Sequence, residues 1–410
     1  MARETACRSC GASEFVPILS LGDMPLANAL RVEEQFVAPE ARYPLDLVLC
    51  PACSLVQITE TVPPQQLFGD YPYFSSFSDT MVNHASDLVT RQVRERMLNG
   101  SSLAVEIASN DGYLLQFYAQ AGVPVLGVEP AANVARVATD RGIRTVSEFF
   151  DASIADRLVA EYGRADVVHA NNVLAHVADL NGVVEGFRRF VRDGGTVIVE
   201  VPYVRDMIDR VEFDTIYHEH LCYFSLTALT TLFGRHGLAI RDVERLDIHG
   251  GSLRIFASPD ASAAERSRSV LELLEEEGRV AMARPEFYRD FAARVARLKE
   301  ELVTLIATLR QSGKRIAAYG ASAKGTTLLN YFGIGAGDLE FVVDRSTVKQ
   351  GRFTPGTHLP ILPPEALLRE RPDYVLLLTW NFAAEILQQQ DTYRQGGGKF
   401  IVPIPELQVV

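Results

Sequence analysis

Val105-Glu106-Ile107-Ala108-Ser109-Asn110-Asp111-Gly112 reads as a buried strand that ends in a tight turn and opens a helix. The apolar run stops at Ala108. Gly112 can adopt backbone conformations denied to other residues, and Ser109, Asn110 and Asp111 are side chains that cap helices. The turn lacks the Gly-x-Gly-x-x-Gly of dinucleotide enzymes, which disfavours an NAD oxidoreductase. Outward from it, apolar runs alternate with helical patterns. Candidate strands are 103–108, 123–129, 144–146, 165–170, 195–201, 238–244 and 253–257. Strand–helix alternation of this kind indicates a parallel α/β sheet.

Ligands of such sheets lie outside the carboxyl ends of the strands, so residues there are the candidates. The next strand ends Gly127-Val128-Glu129-Pro130, where an acidic residue is placed to accept both ribose hydroxyls of a nucleoside. The spacing from Asp111 to Glu129 fits one strand–helix–strand step. Phe149 and Phe150 follow the third strand and are placed to border an adenine. Asn171 and Asn172 end the fourth and face the same crevice. A lone Glu at a strand end is usually just solvated; the ordered set points to a nucleoside-type cofactor. The opening stretch resembles the first motif of class I S-adenosylmethionine (SAM) methyltransferases, in a Glu-x-x-x-Asn-Asp-Gly form. That resemblance implies SAM as cofactor, held by Glu106, Ser109, Asn110, Asp111, Gly112, Glu129, Pro130, Phe149, Phe150, Asn171 and Asn172.

Three blocks emerge in the 410 residues: 1–68, 69–260 and 261–410. The first carries Cys7-Arg-Ser-Cys10-Gly and Cys50-Pro-Ala-Cys53, two turns whose four thiolates can close a tetrahedral site around zinc. A four-cysteine site leaves no open position, so the metal is structural. Cys222 has no partner in sequence and reads as a buried small residue. The last block begins with a charged helical stretch, 262–312, which Pro285 divides into two helices. It then alternates again, with candidate strands at 315–319, 339–343, 374–378 and 399–402, as a second, smaller α/β unit.

Net charge of −12 and a pI near 5.3 repel a polyanion, so no nucleic-acid partner is expected. The longest apolar runs fall far short of the roughly 20 residues of a membrane helix. No apolar signal core follows the first residues, so a cytoplasmic protein with reduced thiols is expected.

Tyr217-His218-Glu219-His220 sets four proton-handling side chains in a row, near the expected carboxyl edge of the sheet. His176, just past the fourth strand, can reach the same crevice. Tyr71 and Tyr73 lie near the entry to the middle block, where an aromatic pair is as apt for packing as for chemistry. In the last block, Tyr319-Gly320-Ala321-Ser322-Ala323-Lys324-Gly325 again reads strand, glycine turn, helix, and its N–H groups with Lys324 can hold a diphosphate. Ser322, Lys324, Gly325, Asp344, Arg352 and Asn381 are the substrate-binding candidates, against a purely structural turn.

Taken together, the cysteine turns, residues 71–80, the Ser-Asn-Asp-Gly motif, the Tyr-His-Glu-His string and the terminal block resemble the deoxysugar C-methyltransferases of antibiotic biosynthesis over essentially the whole chain. The resemblance implies a zinc-binding N-terminal domain, a Rossmann-like methyltransferase domain and a C-terminal α/β domain. It implies a dTDP-linked keto-deoxysugar as substrate and methylation at C-3′ rather than C-5′, by a monomer or small homo-oligomer. The base falls on His220, with Tyr217, Glu219, His176 and one of Tyr71 or Tyr73 beside it. One departure is Ala108, where that family often has glycine. The chemistry suits these residue types. A sugar carbon becomes nucleophilic toward a methyl sulfonium only next to a carbonyl, once a base removes its proton and donors hold the enolate oxygen. Glu219 is read as orienting an imidazole, and Tyr217 or His176 as donor to the oxyanion. The competing readings are an O- or N-methyltransferase, which needs no enolising base, and a noncatalytic nucleotide-sugar binding module.

Overall fold

The computed structural model describes residues 2–63, 67, 74–259 and 265–410. Tyr71 and Tyr73 lie outside the described residues, as do the expected block boundaries at 68 and 260.

The first block folds as antiparallel ladders. β1 (Ala2–Arg3) pairs with β5 (Glu60–Thr61), while β2 (Val16–Pro25), β3 (Arg42–Leu49) and β4 (Val56–Ile58) pair in sequence order. Leu45, Leu47 and Leu49 alternate inward on β3, the two-residue period of a strand with one buried face.

The middle block builds a seven-stranded sheet from β6 (Ala104–Ile107), β7 (Val125–Val128), β8 (Thr145–Val146), β9 (Ala165–Asn171) and β10 (Val191–Pro202), then, after an excursion, two more strands. The excursion is β11 (Cys222–Tyr223), which leaves this sheet and joins the N-terminal one, with Cys222 opposite Gln57 and Tyr223 opposite Val56. β12 (Leu238–Leu246) and β13 (Ser252–Pro259) complete the order β12-β13-β10-β9-β6-β7-β8. All pairings are parallel except those of β13. Val105, Val168, Val197, Val199 and Val201 are fully buried because helices cover both faces of the sheet. Chain order reverses at β6, so the loops after β6 and β9 diverge and leave a crevice there.

Where two helices were expected between 262 and 312, the described residues hold three: Arg268–Arg279, Pro285–Tyr288 and Phe291–Gln311. Pro285 opens the short middle one, a position where its missing N–H costs nothing. Glu277 on the first is buried. Its carboxylate accepts from the N–H groups of Leu226 and Thr227, capping the helix Leu226–Arg235.

The last block is a sheet of order β16-β15-β14-β17-β18-β19, from β14 (Ile316–Tyr319), β15 (Val342–Val343), β16 (Ile361–Leu362), β17 (Tyr374–Leu377), β18 (Lys399–Val402) and β19 (Gln408–Val409). Only β19 runs antiparallel to its neighbour. The expected strand over 339–343 shrinks to β15, and the two-residue β16 and β19 were not foreseen, being too short to show a period. Among the described residues no helix is long and apolar enough to cross a membrane.

Candidate active site

The metal site comes from two near-identical turns. Cys7 N–H donates to Ala12 and Gly11 N–H back to Cys7; Cys50 N–H donates to Leu55 and Ser54 N–H back to Cys50. Gly11 and Ser54 both take the left-handed conformation that such a turn requires (φ +75° and +64°). The four sulfurs lie within 4.8 Å of one another, with Cys7–Cys53 and Cys10–Cys50 at 3.5 Å. A tetrahedral zinc with bonds of about 2.3 Å has sulfurs about 3.8 Å apart, so the set fits the ion. The first turn is docked onto the middle domain: Arg235 donates to the Ser9 carbonyl at 2.5 Å, and Asn181 to the carbonyls of Arg8 and Ser9.

The loop after β6 is wound through alternate left-handed residues: Ala108 (φ +52°), Asn110 (+49°) and Gly112 (+80°). A Cβ at Gly112 would stand 3.0 Å from Ile143 Cγ1, and one at Gly127 only 2.5 Å from Ser109 Oγ. The turn thus presses directly on β7. This brings Glu129 under the loop, where its carboxylate accepts from the N–H groups of Asn110 and Ala131, both at 2.9 Å. Burial raises the Glu129 pKa against these bonds. Glu106 is fully enclosed. Burial, with Glu129, Asp111 and Glu200 nearby, pushes its pKa well above the carboxylate range.

Four buried polar atoms around this crevice have no hydrogen-bond partner among the described residues: Glu106 Oε2, Ser109 Oγ, Asp111 Oδ1 and Asn171 Oδ1. Buried polar atoms left open in this way, Asp111 Oδ1 and Asn171 Oδ1 as acceptors among them, call for a polar ligand with donors. The amino group and ribose hydroxyls of SAM have that character. Asn172 is left-handed (φ +57°) and its N–H is tied to the Glu200 carbonyl. Pro130 is half-buried at the crevice edge. Of the two phenylalanines, Phe150 departs from expectation. Phe150 packs into the core, stacked on Phe187 and Phe190, because the adjacent helix turns its glycine face (Gly186) toward it. Phe149 is left exposed.

Sequence reading missed the residues that hold this loop from outside. Ser75 N–H donates to Asn110 Oδ1 at 2.8 Å, Ser76 Oγ donates to Asp111 Oδ2, and Arg141 pairs with the same carboxylate at 3.0 Å. His84 and Arg254 both hold Glu200, the buried residue beside Asn171 on β10. No local motif marks these positions, since each partner comes from a distant stretch.

The Tyr-His-Glu-His string divides by direction. Tyr217 and His220 turn together, with the hydroxyl 2.8 Å from His220 Nε2 and ring centroids 4.1 Å apart. His220 Nδ1 meets the Thr215 carbonyl at 3.0 Å. A carbonyl only accepts, so Nδ1 carries a proton, and in the neutral ring Nε2 is unprotonated and accepts from the Tyr217 hydroxyl. His176 follows the same logic: its Nδ1 donates to the Glu219 carbonyl at 2.7 Å, and its ring meets that of His220 edge-on at 4.8 Å. Burial depresses its pKa to about 4.

His218 points the other way, its Nε2 3.1 Å from the Pro44 carbonyl in the N-terminal domain. The Glu219 carboxylate orients no imidazole, contrary to expectation. Both its oxygens accept from Asn28 Nδ2, at 2.8 and 2.9 Å, and it is the Glu219 backbone carbonyl that fixes a histidine. Burial raises the Glu219 pKa to about 7, with the Asn28 bond acting in the opposite direction.

The C-terminal candidates separate. Ser322 Oγ accepts from Gly325 N–H at 3.1 Å, capping the helix Ala323–Phe332. Lys324 departs from the expected diphosphate contact. Its ammonium is buried 4.5 Å above the Trp380 ring, without a hydrogen-bond partner among the described residues, close enough to Glu212 and Asp214 to act on their ionisation. Trp380 Nε1 in turn donates to Asp214 at 2.7 Å, so an apolar face and two acids hold the lysine inward. Asp344 closes a turn, accepting from the N–H groups of Ala321 and Ser346. Arg352 is exposed. Asn381 lines a cleft of about 310 Å³ with Arg210, Asp247, Gly250 and Trp380.

Three family models match the chain. They are described as "Putative zinc binding domain" over residues 7–68, "Methyltransferase domain" over 83–243 and "C-methyltransferase C-terminal domain" over 247–405. The C-methyltransferase NovU of Streptomyces niveus is 39% identical over 404 residues, which is 98% of this chain and 96% of that protein. Among solved structures, magnesium protoporphyrin IX methyltransferase of Synechocystis PCC 6803 is 16% identical (TM-score 0.34; 47% of this chain, 88% of that one). A SAM-dependent methyltransferase of Clostridium acetobutylicum is 12% identical (TM-score 0.36; 43% and 91%). Both structural likenesses are too distant to bear on the chemistry of this chain.

Proposed function

The chain belongs to the C-methyltransferase family, as a SAM-dependent enzyme with a zinc-binding domain, and on that premise we propose that it methylates C-3′ of a dTDP-linked 4-keto-deoxysugar through an enolate formed by His220. The observation that carries this reading is the tautomer of His220. With its Nδ1 proton committed to the Thr215 carbonyl, the neutral ring keeps Nε2 unprotonated, with the Tyr217 hydroxyl donating to it.

Nε2 has one lone pair, so the Tyr217 hydroxyl first turns from it to donate to the sugar carbonyl oxygen, and Nε2 then takes the acidic proton on the adjacent carbon. The same hydroxyl stays on that oxygen as it becomes the enolate. Bound SAM supplies the methyl group on its sulfonium. His176 is a poor rival as base, because burial holds its pKa to about 4. Nor does it donate to the oxyanion, since its proton sits on Nδ1 and faces Glu219. Of the two expected donors, the geometry supports Tyr217 alone. Glu129, under the loop after β6, is the proposed ribose contact. The cleft beside Asn381 and Trp380 is the proposed seat of the nucleotide, between residues of the middle and last blocks.

The test is mass spectrometry of products from SAM and a panel of dTDP-4-keto sugars, with the site of methylation read by NMR. A methyl group on carbon next to the former ketone supports the reading. Transfer to oxygen or nitrogen, or to no member of the panel, sinks it.

A further inference from the structure

We infer that Asn28, on the N-terminal domain, is a substrate-positioning residue that forms with Glu219 a subsite for a hydroxyl group of the substrate. The inference rests on the proposed sugar substrate. Asn28 sits 191 residues from Glu219 in sequence, yet one amide group spans both carboxylate oxygens at 2.8 and 2.9 Å. Its backbone is anchored. Met24, Pro25 and Ala27 just before it are buried, and the turn closes through Ala29 N–H to Leu26 and Leu30 N–H to Asn28. Asn28 itself remains exposed while Glu219 is 5% exposed, so the pair stands at a wall open on one side.

The donor–acceptor count then decides the ligand class. The two carboxylate oxygens share one N–H of the Asn28 amide, because its two N–H bonds diverge too widely to face both, and each oxygen keeps further acceptor capacity. The side-chain Oδ1 of Asn28 has no partner among the described residues. Acceptors on Glu219 and the Asn28 side-chain oxygen therefore stand beside one remaining amide N–H, which suits a hydroxyl, a group that gives one proton and accepts another. Glu219 is the immediate neighbour of His220 in sequence, and its carbonyl fixes His176. A hydroxyl held here lies in the same cluster as the base. The N-terminal domain is thus part of the substrate wall as well as the holder of a metal.

Asn28→Asp keeps the shape and removes the donor; Asn28→Ala removes both. Each is compared with the full-length parent for kcat and KM on the sugar nucleotide, SAM affinity by calorimetry, zinc content and thermal midpoint. A sugar nucleotide lacking one hydroxyl is assayed alongside. The expected result is a fall in kcat/KM of roughly tenfold or more, as loss of a hydrogen bond to a charged group implies, with SAM affinity and zinc unchanged. On the analogue lacking the recognised hydroxyl, the parent should fall to the level of the variants and the variants should fall no further. Three results overturn the inference: Asn28→Asp within twofold of the parent, equal losses on every substrate, or loss of zinc in proportion to activity. If Asn28→Asp is unaffected while His220→Asn is inactive, only the subsite fails. If the parent methylates no keto-sugar nucleotide, the proposed function fails too.

Discussion

The Tyr217 hydroxyl lies 2.8 Å from His220 Nε2, on the side of the ring opposite the Thr215 carbonyl. Each imidazole nitrogen therefore has a defined task before any substrate arrives. In the neutral ring one keeps its proton and the other accepts from Tyr217, as the proposed base requires.

His220→Asn is expected to remove proton exchange as well as methyl transfer. With S-adenosylhomocysteine bound in place of the methyl donor, the parent should exchange the acidic sugar proton with deuterated solvent, and the variant should not. The loss should be about 10²–10⁴-fold, the usual worth of a general base. His218→Asn should cost far less, because that ring faces Pro44. Exchange that survives while methylation fails would make His220 a positioning group.

Glu129→Gln should weaken SAM binding by about 1.5–3 kcal/mol, the range for losing hydrogen bonds to a charged partner. Part of that loss would come from the loop itself, since the Asn110 and Ala131 N–H groups lose an anionic acceptor. Calorimetry on SAM and on the sugar nucleotide separates the roles. Equal weakening of both ligands would reject a ribose contact.

One zinc per chain should be found by elemental analysis, and Cys50→Ser should lose it. Activity should fall with the metal although no zinc ligand touches the crevice. β11, just past His220, pairs with β4, which follows Cys53 directly. Full activity in metal-free protein would refute the coupling.

His176 supplies a pH signature. Its folded pKa is about 4 against 6.5 for a free imidazole, so between these values the unfolded chain binds the extra proton. Its contribution to stability is therefore present above about pH 6.5 and is lost as pH falls toward 4. His169, held near 3 by burial, adds in the same direction. Denaturation midpoints measured across that window should fall less steeply with acid in His176→Asn than in the parent. Parallel curves would mean that His176 is not buried neutral.

The fold was largely legible because strands buried on both faces are written as apolar runs, Val197–Val201 among them, and because cysteine turns have fixed spacing. What stayed hidden depended on partners far away in sequence. Lys324 looks like a phosphate ligand until Trp380 and Asp214 are folded beside it. Phe150 looks like an adenine wall until Phe187 and Phe190 stack on it. Asn28 carries no local signal at all, since only the folded chain brings Glu219 to it. Ala108 marks the converse case. The sequence showed an alanine, and the fold still imposes the left-handed turn (φ +52°), at a cost of about 1–2 kcal/mol.

The antiparallel register of Cys222 with Gln57 makes the N-terminal region a poor candidate for exchange between homologues. A graft that replaced only the residues ahead of the middle domain would import three strands of a four-stranded sheet and leave the fourth behind in the host. The unmatched β11 would present a bare edge, and the segment carrying Tyr217 and His220 would inherit whatever register the foreign β4 allowed. Any workable crossover must carry residues 217–223 with the zinc domain. For recombination, the unit is thus discontinuous in sequence.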